Sequence, residues 1–457
     1  MNHTKDFKEW LQKYYKTKTI NGYIYALNCA SKWFGIELKT PLLEISDLKT
    51  FKAETNRITS VEGFDDIDKQ NGHRNFSAGI AAYERYLKER YHKSITEKES
   101  VSRIKDYIAS KGFSYPDGMI ENFYLSLKSK PFVILAGTSG TGKTRLVKLF
   151  AEAIGAEYKL VSVRPDWSDG SDLFGHYDLN GKFVEGPVCS AFDDAKKDPD
   201  RPVFLCLDEM NLARVEYYLS DFLSVIESRE KEPDGTIKTV GIAHYPEGIP
   251  DNLYIIGTVN MDETTFPFSK KVLDRANTIE FNYVDLTPSF DAVLKESEKT
   301  ALPNSILRTE YLILASDCAA ESSFVEKICA ELQQINTILL KANAHVGYRV
   351  RDEIVFYMLN NKKSGELITR DQAFDNEIMQ KILPRIQGSS SSLHDMLGEL
   401  FIICAADYSQ KTGDSNSEKM RKILSDATIA CRYRKSAEKL ELMVRRFEED
   451  GFTSYWL

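Results

Sequence analysis

Eight consecutive residues, Gly137-Thr-Ser-Gly-Thr-Gly-Lys143-Thr144, constrain this chain more than any other stretch. They follow the apolar run 132–136 and open an amphipathic stretch at 145–154, so the segment reads as strand, glycine-rich turn, helix. Glycines at 137, 140 and 142 let the backbone wrap until successive N–H groups and a helix N-terminus face one anion. A phosphate cradle of this kind takes its backbone from Gly137, Thr138, Ser139, Gly140, Thr141 and Gly142. Lys143 reaches the β- and γ-phosphates of a nucleotide, and the Thr144 hydroxyl takes a place in the shell of a Mg²⁺ ion.

The surrounding pattern agrees. Past residue 129, apolar runs at 158–163, 203–207, 253–258 and 278–281 alternate with amphipathic helices, which predicts a parallel sheet between helical layers. The run 203–207 ends in Asp208-Glu209: the first acid suits the Mg²⁺ shell, the second the polarisation of an attacking water. An acid pair after a strand also serves as a plain turn, and it is the phosphate cradle upstream that favours chemistry here. Asn260, at the end of the next apolar run, could orient water near the γ-phosphate or simply form a turn. Arg275 could stabilise phosphoryl charge on a neighbouring subunit or be an ordinary surface charge.

This gives a four-part reading: a helical domain at 1–95, a connecting helix and linker at 96–128, an α/β core at 129–283 and a helical subdomain at 284–457. The last shows helical periodicity at 324–340, 352–359 and 436–447. In the first domain Ile20, Tyr23, Leu27, Ala30 and Phe34 share one helical face, as do Phe76, Ile80, Tyr83 and Leu87. Residues 39–41, the polar stretch 60–74 and the serine run 389–392 read as turns and loops. Aromatics crowd the first domain (Trp10, Tyr14, Tyr15, Tyr23, Tyr25, Trp33, Phe34), and at this spacing they fit a core better than a base-stacking surface.

Composition narrows the classes. A net charge of −8 argues against a chain coated in basic surface, although residues 1–95 carry a small excess of Lys and Arg. Seven cysteines without a Cys-x-x-Cys point to reduced thiols. The apolar runs are too short to span a bilayer and the first ten residues lack an apolar signal core, so the expected location is cytoplasmic, with no membrane partner. No His-Glu-x-x-His or Cys/His cluster occurs, and His176 and His345 read as structural. No nuclease centre stands out, so any DNA cleavage is expected from a separate protein.

Taken in order, these segments resemble the AAA+ branch of P-loop NTPases, and within it the McrB-type GTP-dependent subunits of modification-dependent restriction systems. The resemblance is carried by Asp208-Glu-Met-Asn-Leu-Ala-Arg-Val-Glu216, Gly257-Thr-Val-Asn-Met-Asp-Glu-Thr-Thr265 and Val272-Leu-Asp-Arg-Ala276. His345-Val-Gly-Tyr-Arg-Val-Arg-Asp-Glu353 and Lys381-Ile-Leu-Pro-Arg-Ile-Gln-Gly388 extend it, so that it covers 118–457. It implies an α/β AAA+ core with a helical C-terminal lid and a helical N-terminal recognition domain. It implies GTP, or ATP, with Mg²⁺, held by Gly137–Thr144, Asp208 and Glu209, with Asn260 as sensor. Arg275 would act in trans and Arg349 would report nucleotide state from the lid. The implied partners are further copies in a ring, a hexamer, together with a McrC-like nuclease subunit and DNA, modified or plain. A hairpin around Asn180-Gly181 would point to the ring pore or be a plain surface turn. Two departures matter: Val259-Asn-Met-Asp-Glu263 stands where the family has Met-Asn-Thr-x-Asp, leaving the acid at Asp262 or Glu263, and no Asn-Lys-x-Asp guanine motif occurs. An ATP-driven protein remodeller and a nucleotide-stabilised scaffold are the alternatives.

Overall fold

The computed structural model describes residues 3–12, 14–72, 74–94, 96–233, 235–261, 266–282, 284, 286, 299–405, 416–426 and 431–456. The chain divides into two compact units, Met1–Thr96 and Glu97–Leu457.

The second unit is built on one parallel sheet of five strands: β1 (Phe132–Gly137), β2 (Glu157–Ser162), β3 (Val203–Asp208), β4 (Leu253–Asn260) and β5 (Asn277–Phe281). Their order across the sheet is β2-β3-β4-β1-β5, and every pairing is parallel. The inner strands are apolar almost without interruption because both of their faces are covered. Successive side chains feed two different cores. Val133, Leu135, Phe204, Cys206, Tyr254, Ile256, Ile279 and Phe281 pack with helix Lys143–Ile154, helices Glu97–Ser110 and Met119–Ser129, and the C-terminal helices. Phe132, Ile134, Ala136, Leu205, Leu207, Ile255 and Val259 pack on the other face against helices Cys189–Lys197 and Ser220–Val225. Helices Glu97–Ser110 and Met119–Ser129, in the stretch 96–128 expected as a connecting helix and linker, thus pack into the main core. Edge strand β2 is half-exposed and carries Lys159, which pairs with Asp194 at 2.8 Å; a charge on an edge discourages further strand pairing.

The sheet ends with β5 at Phe281, and helices make up most of the described chain beyond it. Helix Tyr348–Lys363 extends its predicted segment by about one turn at each end, and helices Ser322–Leu340 and Arg434–Asp450 match theirs to within about one turn. A short antiparallel pair, Gln387–Gly388 with Thr453–Ser454, ties the C-terminal end of the described chain back onto the subdomain. The hairpin is present as Gly175–Tyr177 paired with Phe183–Glu185. Its turn is longer than an Asn-Gly dipeptide requires: Asp178 accepts from the N–H groups of Asn180 and Lys182, both at 2.8 Å.

Two loop expectations are corrected. Within 60–74, residues Phe64–Gly72 are helical. The stretch looks polar, but Phe64 stacks on Phe34 at 5.1 Å, and buried Asp68 accepts from the N–H groups of Phe76 and Ser77, both at 3.1 Å. Its acid is spent capping the next helix, Asn75–Ser94. The serine run is likewise a helix start: Ser390 caps helix Ser391–Cys404 through the Leu393 N–H. The first unit has its own core, into which Trp10 and Phe34 are buried, whereas Tyr14 and Tyr25 remain exposed. No helix among the described residues is long and apolar enough to cross a membrane.

Candidate active site

Parallel strands in register bring their carboxyl ends to one edge. Gly137 pairs with Asn260, Ser162 with Asp208 and Leu207 with Gly257, so the tips of β1, β3 and β4 converge. The loop Thr138, Ser139, Gly140, Thr141, Gly142 leaves β1 there and turns into helix Lys143–Ile154. Gly137 admits no side chain, since a Cβ would stand 2.0 Å from the Phe281 carbonyl oxygen on β5. Gly142 enters the helix at φ +88°, a conformation that costs other residues about 1 kcal/mol or more. The Thr141 hydroxyl donates to the Thr138 carbonyl at 2.9 Å, bracing the loop. Lys143 is buried, and its ammonium donates to the carbonyls of Gly137 at 2.9 Å and Thr138 at 2.7 Å.

A continuous hydrogen-bond chain joins the expected residues. The Thr144 hydroxyl donates to Asp208 Oδ1 at 2.7 Å. The Thr258 hydroxyl donates to the same oxygen at 2.6 Å and accepts from the Glu209 N–H at 3.1 Å. Asn260 Nδ2 donates to Glu209 Oε1 at 3.3 Å. Glu209 sits at φ +53°, left-handed for a residue with a side chain, and the Thr258 hydroxyl helps hold it there. Thr144 and Asp208 offer hard oxygen donors side by side, one hydroxyl and one carboxylate. That set suits Mg²⁺, which takes one or two protein oxygens and fills its remaining positions with phosphate and water. Among the described residues no cluster of three or more His, Cys, Asp or Glu side chains could hold a metal without such help.

Arg275 and Arg349 are placed elsewhere. Arg275 follows helix Lys270–Leu273 and precedes β5, at the end of the sheet opposite the phosphate loop. Arg349 lies in the first turn of helix Tyr348–Lys363 and pairs with Glu227 at 2.5 Å, the carboxylate that Arg275 also approaches at 3.4 Å. The structure thus brings Arg349 together with Arg275, away from the phosphate loop of their own chain. Asp262 and Glu263 lie outside the described residues.

Two site residues escape a reading of motifs. Thr258 is a hydroxyl inside an apolar strand; it falls within the Gly257–Thr265 segment, which assigned a role to Asn260 and none to it. Tyr115, on the segment before helix Met119–Ser129, donates to the Gly142 carbonyl at 3.1 Å, and burial pushes its phenol well above the ordinary tyrosine range. Nothing local in the sequence marks it.

Residues 132–276 match the profile of the AAA domain of the dynein-related subfamily, and residues 297–452 match a domain of unknown function, DUF8727. Lon protease of Methanosarcina barkeri is 28% identical over 163 residues, 34% of this chain and 18% of that protein. Lon protease of Clostridioides difficile is 23% identical over 271 residues, 57% of this chain and 32% of that protein. The chain thus spans about a third or less of the length of these curated relatives. A solved protein of Cytophaga hutchinsonii, proposed to be an ATPase, is 17% identical and aligns over 66% of this chain and 90% of its own, with a TM-score of 0.39. The first four strands, the phosphate loop, the acid pair and the profile match agree: residues 132–276, with β5 directly after them, form an AAA-type P-loop NTPase domain.

Proposed function

We propose that this chain is the nucleotide-hydrolysing motor subunit of a McrBC-like, modification-dependent restriction complex acting in defence against phage, with GTP as its triphosphate. The hydrogen-bonded chain Thr144–Asp208–Thr258–Glu209–Asn260 beside the phosphate loop carries the catalytic part of this reading. The loop amides and Lys143 bind the triphosphate. Thr144 and Asp208 would hold a Mg²⁺, which would supply neutralisation of phosphate charge. Glu209, oriented by Asn260, accepts a proton from water as the water oxygen bonds to the γ-phosphorus; the bond from that phosphorus to the β–γ bridging oxygen breaks, the diphosphate leaves, and the proton passes to the released phosphate. Turnover is completed in a homo-oligomeric ring, a hexamer, where Arg275 faces a neighbour's nucleotide. Residues 1–95 recognise DNA, and a separate McrC-like nuclease subunit cuts it. Support for the family-level reading comes from the Asp208–Glu216, Gly257–Thr265 and His345–Glu353 segments.

Lys143→Ala is expected to abolish nucleotide binding, and Glu209→Gln to bind nucleotide without turning it over; wild-type turnover by the Glu209→Gln protein overturns the catalytic assignment. Comparing GTP with ATP, with and without modified duplex DNA, tests the restriction reading. The similarity to Lon proteases favours a second reading, an ATP-driven protein remodeller, and ATP preference without any response to DNA would select it.

A further inference from the structure

Glu227, in the 3-10 turn Ile226–Ser228, belongs to none of the motifs above. Its carboxylate stands between two guanidinium groups, with Arg275 Nε 3.4 Å from Oε1 and Arg349 Nη2 2.5 Å from Oε2. Lys130 Nζ lies 3.8 Å from Oε1 and is also paired with Glu353, which in turn binds Lys381. Lys381 Nζ donates to the carbonyl of Ala276, the residue after Arg275, at 2.7 Å. The contacts close on themselves: Arg275, Glu227, Lys130, Glu353, Lys381, and back to the backbone beside Arg275. Arg275 is further fixed by donating to the carbonyls of Leu223 at 2.7 Å and Lys271 at 2.9 Å.

This ring lies at the amino-terminal end of the strands. Lys130 precedes β1, and the six residues of β1 put the phosphate loop about 20 Å away at ~3.3 Å per residue. Neither arginine can serve its own chain's nucleotide from there. A free arginine side chain has many rotamers to lose, and two close guanidinium groups repel, so a pair of them needs a shared anion to stand ready. Arg349 is the outward member, 41% exposed, and Arg275 the inner one, 14% exposed, with the Glu227 carboxylate between them.

We infer that Glu227 is a positioning residue, one carboxylate that sets Arg275 and Arg349 as a pair for the nucleotide bound by an adjoining copy of this chain. The inference rests on the proposed hydrolysis in an assembly. The triphosphate, with several negative charges, outcompetes the single carboxylate for the guanidinium groups when an adjoining copy presents it, and Glu227 recovers them when the phosphate leaves.

The test measures steady-state hydrolysis by the full chain. Glu227→Gln is expected to lower kcat by about tenfold or more while KM stays within about twofold, because its own phosphate loop is intact. Glu227→Asp restores part of the rate, and Arg275→Ala combined with Glu227→Gln is no slower than Arg275→Ala alone. Mixing Glu227→Gln with Lys143→Ala subunits restores turnover, since the latter lend intact arginines to the intact loops of the former. Loss of turnover without rescue on mixing, in a variant whose melting temperature matches wild type, overturns the inference, as does an unchanged kcat in Glu227→Gln beside an inactive Arg275→Ala. A wild-type chain that hydrolyses no nucleotide overturns the hydrolysis reading and the inference with it.

Discussion

At the scale of single residues, the site depends on one hydroxyl. Thr258 donates to Asp208 and accepts from the Glu209 backbone, so it fixes the spacing of these two acids. Thr258→Val keeps the shape and removes both bonds. Leaving such groups unpaired costs ~1–3 kcal/mol, so kcat is expected to fall about tenfold to a hundredfold with nucleotide affinity little changed; single-turnover kinetics beside a binding titration check this. Tyr115→Phe removes one bond to the Gly142 carbonyl, and a several-fold loss of nucleotide affinity is the expected outcome. Motifs made Lys143, Thr144, Asp208 and Glu209 legible because their chemistry demands fixed spacing in the chain. Thr258 and Tyr115 owe their places to strand register and to a segment folding back, neither of which leaves a local pattern.

At the scale of elements, the buried charges between helix Tyr348–Lys363 and the turns Ile378–Ile382 matter most. Burial pushes the Glu353 carboxyl up, but the charges of Lys130 and Lys381 outweigh it and hold the pKa at about 2; burial meanwhile lowers Lys130, so the pair gains less than the acid alone suggests. Glu353→Ala leaves two lysines buried without their acid and is expected to cost ~3–5 kcal/mol in denaturant unfolding. Because its folded pKa lies below the unfolded one, Glu353 stabilises above about pH 4.5, and the contribution fades as pH falls towards about 2. Glu377 acts with the opposite sign. Burial raises its pKa well above the carboxylate range and Oε2 has no hydrogen-bond partner, so it costs stability once pH rises past the unfolded value. Glu377→Gln is therefore expected to stabilise the protein at pH 7 and to change little at pH 4, read from unfolding midpoints at both. The three inner strands were legible because nearly unbroken apolar runs have few other uses. Helix Phe64–Gly72 was not, because Asp65, Asp66 and Asp68 look like loop residues until Asp68 is seen capping the helix that follows.

At the scale of the whole molecule, the two units have separate cores. Phe7, Leu27, Phe51, Phe76 and Tyr83 are buried within Met1–Thr96, and this unit expressed alone is expected to fold as a helical domain with a cooperative thermal transition by circular dichroism. The hairpin of the second unit leaves Leu179 at its tip wholly exposed (106%), a side chain its own chain does nothing to cover. The closed ring of charges that runs from Arg275 through Glu227, Lys130, Glu353 and Lys381 has a mechanical consequence. It welds the helical subdomain to the sheet, so compliance within a subunit is low at that seam. Under the proposed hydrolysis in an assembly, strain released by phosphate cleavage would be passed between copies rather than taken up at that seam.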